Sequence, residues 1–121
     1  YDLVIIAGEE TASRAPGFAF LELDLLKVKG KTEATRIFSL MGDDTVRQSD
    51  AFKALTAKHL DFLSVYRNRD WDGADALLQE CETMGGQKLK GVYALYRGRI
   101  KAFRTSPPPE NWDFTAQATS K

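Results

Sequence analysis

The chain has 121 residues, of which 43% are apolar and 28% charged, and its formal net charge is zero. This balance is typical of one globular domain or two small modules, and the lack of net positive charge argues against a strongly basic nucleic-acid binder. The single cysteine, Cys81, excludes an intrachain disulfide and fits a reducing compartment, and no apolar run approaches the roughly 20 residues of a membrane-spanning helix.

An apolar strand and a short helix are predicted first. Residues 3–7, LVIIA, are a continuous run rich in β-branched residues, which suits a strand buried on both faces. Residues 9–14 suit a short helix, with Glu9 and Glu10 in the acidic first turn that the helix dipole favours. We interpret these two acids as helix N-terminal residues, with a catalytic role as the remote alternative.

A β-hairpin is predicted next, and the preceding elements are expected to pack on it. Apolar and polar residues alternate over 18–25, as in a strand with two different faces, and ATRIFSL at 34–40 returns as a second strand. The adjoining pair Leu25–Leu26 predicts a β-bulge. Three strands and one short helix cannot cover both faces of a sheet, so we expect the missing cover before Tyr1 or from a partner chain.

The turn of this hairpin carries the strongest candidate for chemistry, because it concentrates positive charge. Lys27, Lys29 and Lys31 surround Gly30, and three lysines on a tight turn repel one another. A polyphosphate would offset the repulsion, with each lysine acting as a point charge. A solvated hairpin tip is an equally weighted interpretation of the residues alone.

Residues 43–49 are polar and are interpreted as a linker between two modules. The adjoining acids Asp43 and Asp44 could bind a cation, but a solvated acid pair is the favoured interpretation. No Ser/His/Asp, Cys/His, Walker or zinc pattern occurs in the sequence.

Three amphipathic helices are predicted between residues 50 and 105. Apolar residues recur at three- and four-residue steps, and His59 and Cys81 fall on the apolar faces, so both are predicted to be packing residues. The expected start and stop signals are, in chain order, Ser49 or Asp50, then Asp70, then Gly85–Gly86.

Charge is unevenly distributed over these helices. Residues 43–84 carry nine acids and five bases, whereas residues 85–105 carry six bases and no acid. This asymmetry predicts that the basic third helix, from about Gln87 to Arg104, faces a more acidic neighbour or solvent. A phosphate group or an acidic partner is the less favoured ligand of its basic face.

The three prolines at 107–109 end the last helix. The remaining segment is predicted to be extended or disordered, with Trp112 and Phe114 available for docking.

The segment GEETASRAPGFAFLELDLLKVKGKTEATRIFSLMG resembles the closing part of the catalytic domain of bacterial class III adenylate and guanylate cyclases, especially the membrane-anchored group with a CHASE2 sensor. YRNRDWDGADAL and PPPENWDFTAQATSK resemble the helical tail and the chain end that often follow that domain. The first two helices also resemble a tetratricopeptide-type (TPR) hairpin. The resemblance therefore covers nearly the whole chain.

This resemblance implies an α+β fold in four parts. Residues 1–42 would form a partial ferredoxin-like cyclase sheet, and residues 43–49 the linker. Residues 50–105 would form a TPR-like module of three helices, and residues 106–121 a Pro-rich extended tail.

The resemblance also implies chemistry at a dimer interface. A homodimeric enzyme would convert ATP or GTP to a cyclic nucleotide and pyrophosphate in signal transduction, using Mg or Mn. Lys29 matches the turn lysine that contacts the nucleotide phosphates in the family, and Lys31 is the second basic residue. The metal-binding aspartates and the Asn/Arg pair would lie before Tyr1, so this segment alone is expected to be inactive.

A cytoplasmic location is expected, with any membrane anchor outside this sequence, and no nucleic acid is expected among the partners. The alternative function is a helical-repeat interaction module that binds a protein partner through residues 50–105.

Overall fold

The computed structural model describes residues 5–27 and 34–117. They form two compact units, which we call the sheet unit (residues 5–48 and 111–117) and the helical unit (Ser49–Glu110). The predicted α+β class is confirmed. None of the helices among these residues is both long and apolar enough to cross a membrane.

The sheet unit contains four strands in the order β1-β3-β2-β4. Both β1 and β2 run antiparallel to β3, whereas β4 runs parallel to β2. The predicted order of strand, short helix and two-stranded hairpin is confirmed. The elements, in chain order, are β1 (Ile5–Gly8), α1 (Glu9–Ser13), β2 (Ala19–Lys27), β3 (Ala34–Gly42), α2 (Asp44–Gln48) and β4 (Ala116–Gln117).

The register of the hairpin ladder shifts twice, between Ala19 and Phe20 and between Glu22 and Asp24. Leu23 is the extra residue at the second shift, and Leu23 and Asp24 are both buried. The prediction of a bulge at Leu25–Leu26 is wrong, because these residues pair in regular register with β3. Leu25 and Leu26 are both partly buried. Because neighbouring residues of a strand point to opposite faces, both faces of β2 are partly covered here.

Strand β1 is exposed, which corrects the prediction of a strand buried on both faces. Ile5 and Ile6 keep 63% and 44% of their surface exposed. Within the part of the chain that the structure describes, β1 pairs with β3 alone and ends the sheet. A continuous apolar run was therefore not sufficient evidence of burial. The expectation of further cover from outside this sequence stays a prediction.

The helical unit contains three long helices joined by short turns. They are α3 (Asp50–Arg67), α4 (Trp71–Gly85) and α5 (Lys90–Thr105), with a 3₁₀ turn at Gln87–Leu89. Three predicted boundary residues are confirmed. The Ser49 hydroxyl accepts from the Phe52 N–H at 3.2 Å, and the Asp70 carboxylate accepts from the Gly73 N–H at 3.0 Å. Gly86 ends α4 with φ of 65°, a conformation that glycine adopts without steric cost.

Aromatic rings form the centre of the helical unit. Tyr96 meets Phe62 and Tyr66 edge to face, with ring centroids 5.1 and 5.0 Å apart, and Trp71 stacks on Phe103 at 5.2 Å. Such pairs contribute about 0.5–1.5 kcal/mol each beyond their buried area. The core predicted from the apolar stripes is therefore present within this unit.

The proline-rich segment is held against the helical unit by Arg69, which has a left-handed φ of 66° in the turn between α3 and α4. Its guanidinium donates to the carbonyls of Pro108 at 2.9 Å, Pro109 at 2.5 Å and Glu110 at 3.2 Å. Arg69 therefore ties this segment to the turn between α3 and α4 through three main-chain acceptors.

Two segments predicted to lack regular structure contain short elements. The polar segment 43–49 includes α2, whose first N–H groups are capped because the Asp43 carboxylate accepts from Thr45 at 3.0 Å and Val46 at 3.3 Å. The end of the chain, predicted as extended or disordered, includes the strand β4, which agrees with the extended alternative. The helix at 44–48 depends on the capping acid Asp43, which periodicity alone does not reveal.

Candidate functional site

The hairpin β2–β3 forms the frame of the predicted phosphate site. Its ladder runs to the pair Lys27 and Ala34, the described residues on either side of residues 28–33. Lys29 and Lys31 lie outside the described residues, so their predicted role stays a prediction.

Lys27 faces a counter-charge that sequence reasoning missed. Its Nζ lies 3.3 Å from a carboxylate oxygen of Asp113, with 38% and 51% of the two side chains exposed. The same segment brings β4 beside β2, where Ala116 pairs with Leu26 and Gln117 with Lys27. The chain end therefore returns to the strand that leads into the lysine-rich turn.

A local turn prepares Asp113 for this contact. Its Oδ1 accepts from the Thr115 hydroxyl at 2.5 Å and from the Thr115 N–H at 3.2 Å. These hydrogen bonds, aided by Lys27, lower the pKa of Asp113 to about 2. The spacing Asp-x-Thr was the signal in the sequence, because an aspartate commonly caps the backbone two residues ahead.

Two aromatic residues complete this turn. The Trp112 indole N–H donates to the Thr115 carbonyl at 3.2 Å, and the Trp112 and Phe114 rings meet edge to face at 5.4 Å. Both residues, predicted as available for docking, thus belong to the segment that carries Asp113.

Arg36, on β3, forms ion pairs with two acids of the sheet unit. Its guanidinium lies 3.4 Å from Glu22 and 3.7 Å from Glu9. The Glu9–Glu10 pair begins α1 as predicted, and Glu10 pairs with Arg14 at 2.6 Å. These acids therefore have structural partners within the sheet unit.

The prediction that His59 and Cys81 are packing residues is confirmed. Both are fully buried, and the His59 Nδ1 lies 2.9 Å from the Tyr93 hydroxyl. Burial raises the pKa of the Cys81 thiol to about 11, although the Tyr93 hydroxyl opposes the shift. A thiol with this pKa is protonated at neutral pH and is therefore a poor nucleophile.

Two arginines on the basic face of α5 meet acids of α4, which is one of the two predicted alternatives, an acidic neighbour or solvent. Arg104 lies 2.9 Å from Asp72 and 2.7 Å from Asp75, and Arg97 pairs with Glu82. A groove of about 190 Å³ lies along this boundary, lined by Asp75, Arg97, Ile100, Lys101 and Arg104. Carboxylates already balance its arginines, which weakens it as an anion site.

The two linker acids bind their own helix. Asp43 caps α2, and Asp44 receives hydrogen bonds from Arg47 and Gln48, the first of which lowers the pKa of Asp44. Among residues 5–27 and 34–117, no group of three His, Cys, Asp or Glu side chains is arranged to hold a metal ion.

Comparisons with protein-family models, with curated proteins and with solved structures give no match. The functional argument therefore depends on the residues and contacts described above.

Proposed function

We propose that the sheet unit is the closing part of a class III nucleotide cyclase domain with a ferredoxin-like sheet, followed by a TPR-like helical tail. The observation that supports this most is the hairpin. Its two strands pair as far as Lys27 and Ala34, and the stretch of sequence that connects these residues includes Lys29 and Lys31. A lysine-rich stretch between two paired strands fits the resemblance stated for this segment.

In the proposed reaction, the ribose 3′-hydroxyl of ATP or GTP attacks the α-phosphorus and pyrophosphate leaves. Lys29 and Lys31 would stabilise negative charge on the phosphate oxygens electrostatically, without transferring a proton. The Mg or Mn ions that the resemblance implies have no ligand set among the described residues, so no step is assigned to them here. The proposal includes a homodimer at a cytoplasmic location, with its metal ligands upstream of Tyr1.

The test compares lysine variants in the longer protein that carries the metal-binding half. Lys29→Ala and Lys31→Ala should each lower cyclic-nucleotide production about 10- to 100-fold, since a hydrogen bond to a charged group contributes about 1.5–3 kcal/mol. Lys53→Ala, an exposed lysine in the helical unit, is the matched control and should leave turnover unchanged. Equal turnover in all three variants and the parent would contradict the proposal.

The alternative function, a protein-binding helical module, is favoured by one observation: the aromatic core and both side-chain caps lie within Ser49–Glu110. Residues 49–110 should then fold alone, with the circular dichroism of three helices. A chain that stays unfolded without the sheet unit would exclude an autonomous module.

A further inference from the structure

Arg69 binds main-chain groups of the proline-rich segment. In the turn between α3 and α4, its guanidinium donates to three consecutive carbonyls, those of Pro108, Pro109 and Glu110. Contacts made to carbonyls recognise the conformation of a segment and leave its side chains unread. Arg69 also has a left-handed φ of 66°, which is uncommon for a residue with a Cβ, and such residues cluster at ligand clamps. Both features are those of a binding site for an extended main chain.

The segment that Arg69 holds is restricted to an extended conformation of the polyproline II type. Proline fixes φ at about −65°, and Pro107 and Pro108 each precede another proline, which keeps both out of the helical region. A polyproline II helix makes no internal hydrogen bonds, so its carbonyls stay available to an outside donor. Pro108 is buried, whereas Pro107 and Pro109 are exposed. Proline-rich peptides that bind other proteins use this preformed conformation to dock on aromatic-lined grooves.

Two aromatic rings lie at the same end of the helical unit as Arg69. Trp71 begins α4 two residues after Arg69, and Phe103 lies in the last turn of α5, four residues before Pro107. The two rings stack with their centroids 5.2 Å apart, and both residues are partly exposed. An arginine donor, a polyproline II segment and a partly exposed aromatic pair are the components of a site for proline-rich chains.

We infer that the turn at Arg69 is a docking site for a proline-rich segment of another polypeptide, and that the chain's own segment 107–110 occupies this site in cis. Two of the three hydrogen bonds are exposed, so water competes with them and the contact is reversible. A segment on the same chain has an effective concentration in the millimolar range, which makes it the resident ligand until it is displaced. The inference does not depend on the proposed cyclase chemistry, and it gives the alternative, protein-binding function a site and a class of partner.

Occupancy in cis is tested first, on the full chain. Arg69→Lys keeps the positive charge but loses the planar fork that holds several acceptors at once. The heteronuclear nuclear Overhauser effect of the Glu110 amide should therefore fall, because the segment becomes more mobile. Arg14→Lys is the matched control, since Arg14 is exposed and pairs with Glu10 in the sheet unit. An unchanged Glu110 amide in Arg69→Lys would overturn the inference.

Docking of a second chain is tested with a fluorescently labelled peptide of residues 105–111, TSPPPEN, and with TSAAAEN as the matched control peptide. The opened variant is the full chain that combines Pro107→Ala, Pro108→Ala and Pro109→Ala, because alanine does not hold the segment extended. It should bind TSPPPEN about tenfold more tightly than the parent, since apparent affinity falls with the fraction of sites that are open. Fluorescence anisotropy measures the binding. TSAAAEN should bind at least about tenfold more weakly, and adding Arg69→Lys should remove the gain.

The opened variant is compared with the parent by helical circular dichroism. If its helices are lost, Pro109→Gly, at an exposed position, replaces it, because glycine also frees the backbone of the segment. Equal binding of TSPPPEN by a folded opened variant and the parent, or equal binding of the two peptides, would overturn the inference and leave Arg69 as a fastener of its own segment. Failure of the proposed cyclase function has a different signature, unchanged turnover in Lys29→Ala and Lys31→Ala.

Discussion

Removing the Tyr93 hydroxyl tests the buried polar contact in the helical unit. Tyr93 is fully buried on α5, and its hydroxyl lies 2.9 Å from the His59 Nδ1 on α3. Tyr93→Phe keeps the ring, whose centroid is 5.7 Å from that of His59, and deletes only the oxygen. The substitution therefore removes the contacts of the hydroxyl with His59 and with the Cys81 thiol and keeps the packing of the ring.

The expected cost follows from burial. A buried polar group that loses a hydrogen-bond partner costs about 1–3 kcal/mol. With a urea dependence of about 1–3 kcal/mol per molar, the unfolding midpoint should fall by roughly 1 M. The assay is urea unfolding followed by circular dichroism at the helix band, which reports mainly on the helical unit.

A double-mutant cycle with His59→Leu provides the control. If the contact stabilises the unit, the second substitution costs less once the first has been made, and the coupling energy is about 1 kcal/mol or more. Strictly additive costs would refute the reasoning, because they would show that the hydroxyl and the imidazole do not depend on each other.

Two further predictions concern packing and protonation. Leu78→Ala, at a fully buried position on α4, should lower the free energy of unfolding by about 2–5 kcal/mol. The control Leu60→Ala, at a position 46% exposed on α3, should lower it far less. Equal unfolding midpoints of the two variants in urea would contradict the packing described. The pKa of Asp113 is lowered from 3.8 to about 2, chiefly by its hydrogen bonds from Thr115, so the turn from Trp112 to Thr115 should gain stability from the charge above pH 3.8 and lose it as the pH falls through about 2. An NMR titration of the Asp113 carboxyl measures this directly, and a midpoint near 3.8 would show that Thr115 and Lys27 do not hold it.

The elements that could be predicted from the sequence are those whose causes are local. Ser49, Asp70 and Gly86 act on backbone groups within a few residues, so their roles at the helix ends can be read from neighbouring positions. The same holds for the packing of His59 and Cys81, because helical periodicity already assigns them to the apolar faces.

The features that could not be predicted depend on which strands pair. The bulge at Leu23 depends on the register against β3, and the exposure of Ile5 depends on its position at the end of the sheet. Asp113 lies more than eighty residues from Lys27 in the sequence, so periodicity and capping rules could not bring them together. The lysine cluster of the candidate site could therefore be predicted from the sequence. Its counter-charge, Asp113, could not, because it depends on the parallel pairing of β4 with β2.

The exposed strand β1 has a consequence for how this chain behaves in concentrated solution. A strand that ends a sheet offers its main-chain groups as a template for another strand, and Ile5 and Ile6 add apolar surface to that template. Two copies of the segment would gain hydrogen bonds and remove isoleucine side chains from water by joining through β1. Samples of this chain should therefore be prone to self-association as their concentration rises, whatever the hairpin binds.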